Sequence, residues 1–195
     1  MLTVILGKTC SGKTAVVREL CKKYNYSKIV TYTTRPMRDG EEDGVDYNFI
    51  DDKTFQHYRD LGKFLEYKSY NVANGQTWWY GSMLDNLDED KDYLIILTPK
   101  GLRDIQGQID NFASIYLYAN HNTIQKRLTK RGDNSNEALR RISRDDEDFK
   151  GVENMVNRIV YNNLDNSFYD VVQRLNHVIQ KLKEHPDQLK NVKYL

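Results

Sequence analysis

Short runs of β-branched and large apolar residues alternate along this chain with stretches whose apolar positions recur every three or four residues. The runs at 2–6, 28–31, 93–98, 114–118 and 158–161 are too short for helices and predict strands. Helical spacing follows at 15–23, 102–109, 123–129 and 166–184. Strand and helix in turn predict an α/β architecture, a parallel sheet wrapped by helices. Two stretches break the alternation. Residues 33–84 predict a small unit of their own, with strands at 47–50, 64–67 and 78–80, a helix at 52–60, and a turn at Asn74-Gly75, where both residues tolerate positive φ. Residues 131–149 are polar and dense in arginine and acid.

The chemistry begins where the first strand ends. Residues 7–14 read Gly-Lys-Thr-Cys-Ser-Gly-Lys-Thr, which completes the G-x-x-x-x-G-K-[ST] pattern between a strand and a helix. Gly7 and Gly12 let the backbone turn so that the N–H groups of Lys8, Thr9, Cys10, Ser11 and Lys13 converge on phosphate, and the following helix adds its positive end. Lys13 supplies a mobile cation for the β- and γ-phosphates of ATP, and Thr14 a hydroxyl ligand for Mg²⁺.

Composition narrows the class. Twenty-nine Lys and Arg stand against 28 Asp and Glu, a formal net charge of +1, so no global charge favours nucleic acid or a membrane surface. The 195 residues suit one domain, no apolar run is long enough to span a bilayer, and a first strand at Leu2 carries the expectation of no leader. Cys10 and Cys21 lack metal-ligand spacing. A cytoplasmic protein acting on small molecules is the expectation.

From Thr33 the chain reads TTRPMRDGEEDGVDYNF, with Arg35, Arg38, Glu41, Gly44, Tyr47 and Phe49 at restrictive spacing. Together with the loop before it, Phe64-Leu65-Glu66 and Tyr80-Gly81-Ser82 after it, and the arginine-rich 131–149 segment, this resembles the guanylate kinase family over nearly the whole chain. The resemblance implies a P-loop NTPase fold, a three-layer parallel sheet with core segments 1–32, 85–130 and 150–195, an inserted acceptor-binding region at 33–84 and a lid at 131–149. It implies MgATP-dependent phosphorylation of GMP or dGMP. Arg35 and Arg38 suit an acceptor phosphate, because guanidinium forks bind phosphate in a bidentate way, and the hydroxyls of Tyr47 and Tyr80 complete the shell. Both arginines also lie beside Asp39, Glu41 and Glu42, with which they can pair instead. Glu66 can accept from N1–H and N2–H of guanine, with Thr31 and Ser82 as further base contacts. Arg127, Arg131 and Arg141 match the family's lid arginines, with Arg140 or Arg144 as substitutes for Arg141.

The chain also departs from the family. Thr98 and Lys100 stand where an Asp-x-Asp pair is usual, the hairpin from Glu66 to Tyr80 is longer, and Tyr161 aligns with an asparagine that lies beside adenine. These departures keep two alternatives open: a kinase of the same fold with another acceptor, such as a modified nucleotide or a ribose bisphosphate, and a non-catalytic binding module.

Overall fold

The computed structural model describes residues 1–71, 75–84, 87–88, 90–131 and 135–189, with the backbone alone at 131 and 135–138. In chain order the elements are β1 (Leu2–Leu6), α1 (Lys13–Lys23), β2 (Ser27–Lys28), β3 (Tyr32–Thr33), β4 (Asn48–Phe49), α2 (Asp52–Asp60), β5 (Glu66–Asn71), β6 (Thr77–Ser82), β7 (Tyr93–Ile96), α3 (Pro99–Ile105), β8 (Ala113–Tyr118), α4 (His121–Arg131), α5 (Ser135–Asp148), β9 (Arg158–Tyr161) and α6 (Phe168–Glu184).

Five strands form a parallel sheet in the order β2-β7-β1-β8-β9. Successive side chains on a strand point to opposite faces, and here both faces are covered. Ile5, Leu94, Ile115, Leu117 and Val160 face α1 and α6, whose Val16, Leu20, Val172, Leu175 and Ile179 meet them. Val4, Leu6, Ile95 and Tyr116 face the other way, onto Leu102 and Ile105 of α3 and onto Phe149, Val152 and Val156. This double burial explains why β1 is apolar at four of its five positions. Because β1 is central, its C-terminal end lies where the connections leave toward opposite edges, the place where open α/β sheets bind ligands.

A second, four-stranded sheet has the order β4-β3-β6-β5. Its hairpin runs in continuous antiparallel register from Glu66–Ser82 to Asn71–Thr77, longer than the two short apolar runs predict. Lys68, Ser69 and Asn71 conceal the extension, since they break the apolar alternation by which a half-buried strand is recognised. The predicted turn falls partly on Asn74, outside the described residues; Gly75 has φ 79°. Beneath this sheet, Phe55 of α2 is fully buried, stacked on Phe64 at 4.4 Å and close to Trp79 at 5.7 Å. Trp79 therefore packs.

Other boundaries shift for local reasons. Of the strand predicted at 28–31 only Lys28 is in one, at the end of β2, which pairs with β7; β3 begins after it at Tyr32 and pairs with β4 and β6. The helix predicted at 102–109 instead starts at Pro99, with Thr98 accepting a 3.2 Å hydrogen bond from the Gly101 N–H and proline in the first turn, where its missing N–H costs nothing. Thr98, at the family's acidic position, thus serves as a helix cap. The polar segment 131–149 holds α5, whose Ile142, together with Phe149 just beyond the helix, is buried.

Phe55→Ala removes the ring that joins α2 to the second sheet. We expect a loss of about 3–5 kcal/mol in unfolding free energy, measured by urea denaturation.

Candidate active site

The loop between β1 and α1 is built around two steric constraints. A Cβ at Gly7 would lie 2.4 Å from Ser11 Oγ and 2.7 Å from the Leu117 carbonyl oxygen, so only hydrogen fits. Gly12 has φ 95°, and a Cβ there would strike Asn162 Nδ2 at 2.5 Å. Cys10 also lies in the left-handed region, with φ 57°. These conformations turn the chain into the first turn of α1. Ser11 Oγ is buried with no hydrogen-bond partner among the described residues, a polar atom aimed into the loop.

Side chains distant in sequence hold this loop. Asn162, buried just past β9, donates to the Ser11 carbonyl at 2.7 Å, and Arg127 of α4 donates to the Cys10 carbonyl at 3.1 Å and to Asn162 Oδ1 at 3.3 Å. Lys13 folds back, its Nζ donating to the carbonyls of Gly7 at 2.5 Å and Lys8 at 2.9 Å. Burial lowers its pKa to about 8, against the opposing pull of Asp145. Asp145 of α5 accepts from the Thr9 N–H at 2.5 Å, and Asp146 pairs with Lys8 at 2.5 Å. A carboxylate thus occupies a donor that the motif directs at phosphate. Thr14 is exposed at the start of α1.

The second group lies on the smaller sheet. Arg35 is almost fully buried, its guanidinium bonded to both Glu41 oxygens at 3.0 and 2.8 Å and to the Pro36 carbonyl at 2.6 Å. It lies 5.3 Å from the Tyr47 ring centroid and 5.6 Å from that of Phe49. Burial alone would raise the Glu41 pKa, but the hydrogen bonds from Arg35 and the Arg38 N–H bring it below the ordinary range. The pairing with an acid is thus realised at Arg35, while the Arg38 side chain is exposed. Tyr47 and Tyr80 meet edge to face at 6.0 Å.

Glu66 and Ser82 face each other across the hairpin and are both buried, and the Thr31 and Ser82 hydroxyls are 3.4 Å apart. Burial raises the Glu66 pKa, and a hydrogen bond with Ser82 partly offsets this. A cleft of about 680 Å³ opens between β5 and α3, lined by residues including Glu66, Lys68, Trp79, Lys100 and Gln108. Lys100 there pairs with Asp104 at 2.5 Å.

Arg141 is half-buried on α5, and the Arg131 side chain lies outside the described residues. Asn162 and Asp145 had no assigned role in the sequence. Asn162 carried a usable signal, its place just beyond a parallel strand's C-terminal end; Asp145 carried none, being one of several acids in a charged segment. Among the described residues no group of three or more His, Cys, Asp or Glu side chains could hold a metal ion, and no helix is long and apolar enough to cross a membrane.

The parallel sheet and this loop at its switch point define a P-loop nucleotide-binding protein. The guanylate kinase family model matches residues 1–182. A guanylate kinase of Pseudomonas syringae pv. syringae is 32% identical over 148 residues, covering 71% of this chain and 69% of the relative. One from Alkalilimnicola ehrlichii is 30% identical over 142 residues, covering 72% and 70%. The crystal structure of guanylate kinase from Anaplasma phagocytophilum has the same fold, with a TM-score of 0.69 at 20% identity over 97% of this chain and 87% of that one. This chain belongs to the guanylate kinase family.

Two outcomes follow from the occupied loop. Asp145→Asn removes a negative charge that competes with phosphate, and ATP should bind about two- to fivefold more tightly by calorimetry. Lys13 must be charged to meet phosphate, so ATP affinity should fall as pH rises through about 8. Binding at that pH should take up a proton, visible as a dependence of the heat on buffer ionisation enthalpy.

Proposed function

We propose that this protein transfers the γ-phosphoryl group of ATP directly to the phosphate of GMP or dGMP. The observation that carries the reading is the juxtaposition of two sites by one helix. On α5, Asp145 bonds Thr9 in the loop, while its neighbour Arg144 lies 4.5 Å from the Tyr70 ring on the β5–β6 hairpin. The anion-binding loop and the hairpin that bears the buried Glu66 are therefore both held by one helix, an arrangement that suits a reaction between two nucleotides. Family membership supports the same acceptor and removes the need for the alternatives.

In this reading the acceptor region 33–84 and the lid 131–149 close on the core. The loop N–H groups from Lys8 to Thr14 hold the β-phosphate of ATP, and Lys13 swings from the Gly7 and Lys8 carbonyls to the β- and γ-phosphates. Arg35, held rigid by Glu41 and two aromatic rings, presents its remaining donors to the acceptor phosphate. Arg38, Tyr47 and Tyr80 complete that shell. Glu66 accepts from guanine N1–H and N2–H, with the Thr31 and Ser82 hydroxyls beside it, so the base is read without the family's acidic pair. An acceptor-phosphate oxygen forms the new bond to the γ-phosphorus as the bond to the ADP leaving oxygen breaks. No general base is needed, because the attacking phosphate is already anionic. Arg127, Arg131 and Arg141 stabilise the charge of the transferring group.

Magnesium fits the residues present. Thr14 offers one exposed hydroxyl at the loop, and a cation that retains waters and phosphate oxygens needs few protein ligands. When bound, it would neutralise charge on the β- and γ-phosphates. A cytoplasmic setting accords with these substrates.

The test is ADP release from MgATP with GMP, dGMP, AMP, CMP, UMP and dTMP. Turnover should be confined to the guanine nucleotides and lost in Lys13→Ala, and near-normal turnover in that variant would overturn the reading. Glu66→Gln should erode guanine preference by about 10- to 200-fold, the range expected for one buried charged hydrogen-bonding group. Arg38→Ala should raise the KM for the acceptor far more than that for ATP.

A further inference from the structure

The extended hairpin carries a chain of aromatic and cationic contacts centred on Tyr70, a side chain to which the reaction above gives no part. Tyr70 sits on β5 opposite Trp78, half-buried. Its ring meets Tyr80 edge-on at 5.4 Å, Tyr80 meets Tyr47 at 6.0 Å, and Tyr47 lies 5.3 Å from the Arg35 guanidinium. From the lid helix, Arg144 approaches the Tyr70 centroid to 4.5 Å, and Lys68 Nζ is 5.0 Å from the same centroid. Two cations around one ring repel each other, and the structure compensates: Asp148 of α5 takes a 3.0 Å hydrogen bond from Lys68. Arg144 and Asp148 are one helical turn apart, so a single face of α5 makes both contacts.

We propose that Tyr70 is a positioning residue for phosphoryl transfer, the seat on which the lid helix closes and the link between lid closure and the Arg35 acceptor site, an inference that rests on the kinase reading above. A cation seated on a half-buried ring is a directional contact, stronger than the same cation in water. Seating Arg144 sets the rotation of α5. Arg141, three positions earlier on the same helix, is thereby presented in a fixed direction. At the other end, the edge-to-face contacts carry any shift of Tyr47 against Arg35 back to the lid. Asp145 and Asp146 hold α5 to the loop independently of Tyr70, so removing the ring should loosen the seat without releasing the helix.

The experiment compares Tyr70→Phe, Tyr70→Leu, Arg144→Gln and the Tyr70→Leu/Arg144→Gln double variant. Steady-state kinetics with MgATP and GMP are measured beside amide hydrogen exchange of the unliganded proteins. Tyr70→Leu and Arg144→Gln should each lower kcat/KM for GMP by about three- to thirtyfold, with ATP binding to the free enzyme unchanged and the double variant no worse than the poorer single one. Tyr70→Phe keeps the ring and should behave as wild type. Amides of 139–148 should exchange faster in Tyr70→Leu while those of α6 stay unchanged. Additive losses, wild-type kinetics with unchanged exchange in Tyr70→Leu, or a Phe variant as impaired as the Leu variant would overturn the proposal. Should Tyr70→Leu also loosen α6, Arg144→Gln decides by the same readouts. If the wild-type protein does not phosphorylate GMP, the kinase reading fails, and hydrogen exchange alone still decides whether Tyr70 seats the lid helix.

Discussion

The need to satisfy a ring of backbone N–H donors at the end of β1 organises the molecule. Glycine at 7 and 12 permits the turn, and burial of β1 on both faces makes it rigid. A rigid loop costs little reorganisation when phosphate arrives, which is where electrostatic catalysis gains most. Asn162 and Arg127 fix the loop through its carbonyl oxygens, and the Ser11 N–H closes it on the Lys8 carbonyl at 3.1 Å. Asp145 covers one of those donors and Lys13 turns its ammonium onto carbonyls. The loop's own electrostatics are thereby balanced internally, and an entering triphosphate exchanges for groups already in place.

The smaller sheet solves the opposite problem. Its charged groups must stay strong while being held in fixed directions, and buried charges are tolerated only when paired. Arg35 meets that requirement through Glu41 and two rings, while Arg38 remains exposed on the same turn. Two arginines of equal appearance in the sequence therefore differ in kind, one preorganised and one free to adapt. Glu66 shows the same balance, since the Ser82 hydroxyl offsets part of the burial that raises its pKa. Helix α5 joins the two sides, contacting the loop through Asp145 and Asp146 and the hairpin through Arg144 and Asp148.

Much of this was legible in the residues. The alternation of short apolar runs with helical spacing predicted the parallel sheet, and the loop pattern falls at the C-terminal end of its central strand. Spacing from Arg35 to Phe49 with Glu66, Tyr80 and Ser82 led to the family. The extra length of the hairpin was legible, but how far its strands stay paired was hidden, because Lys68 and Asn71 lack the alternation that betrays a half-buried strand. The helix at 135–148 was hidden too, for among its described side chains Ile142 is the buried apolar one and the contacts to the loop and hairpin run through charge.

By itself, then, the sequence determined what local rules can carry: element types set by apolar period, a loop set by two glycines, and a family set by residue spacing. Only the tertiary structure decided partnership. That Asn162 supports Ser11, that Asp145 rather than a lid arginine meets Thr9, that Thr98 caps a helix, and that Tyr70 lies between Arg144 and Tyr80 depend on segments far apart in the chain. The reason is physical. A charged or polar side chain has many satisfactory partners, and geometry chooses among them only after the apolar core has brought the backbones together.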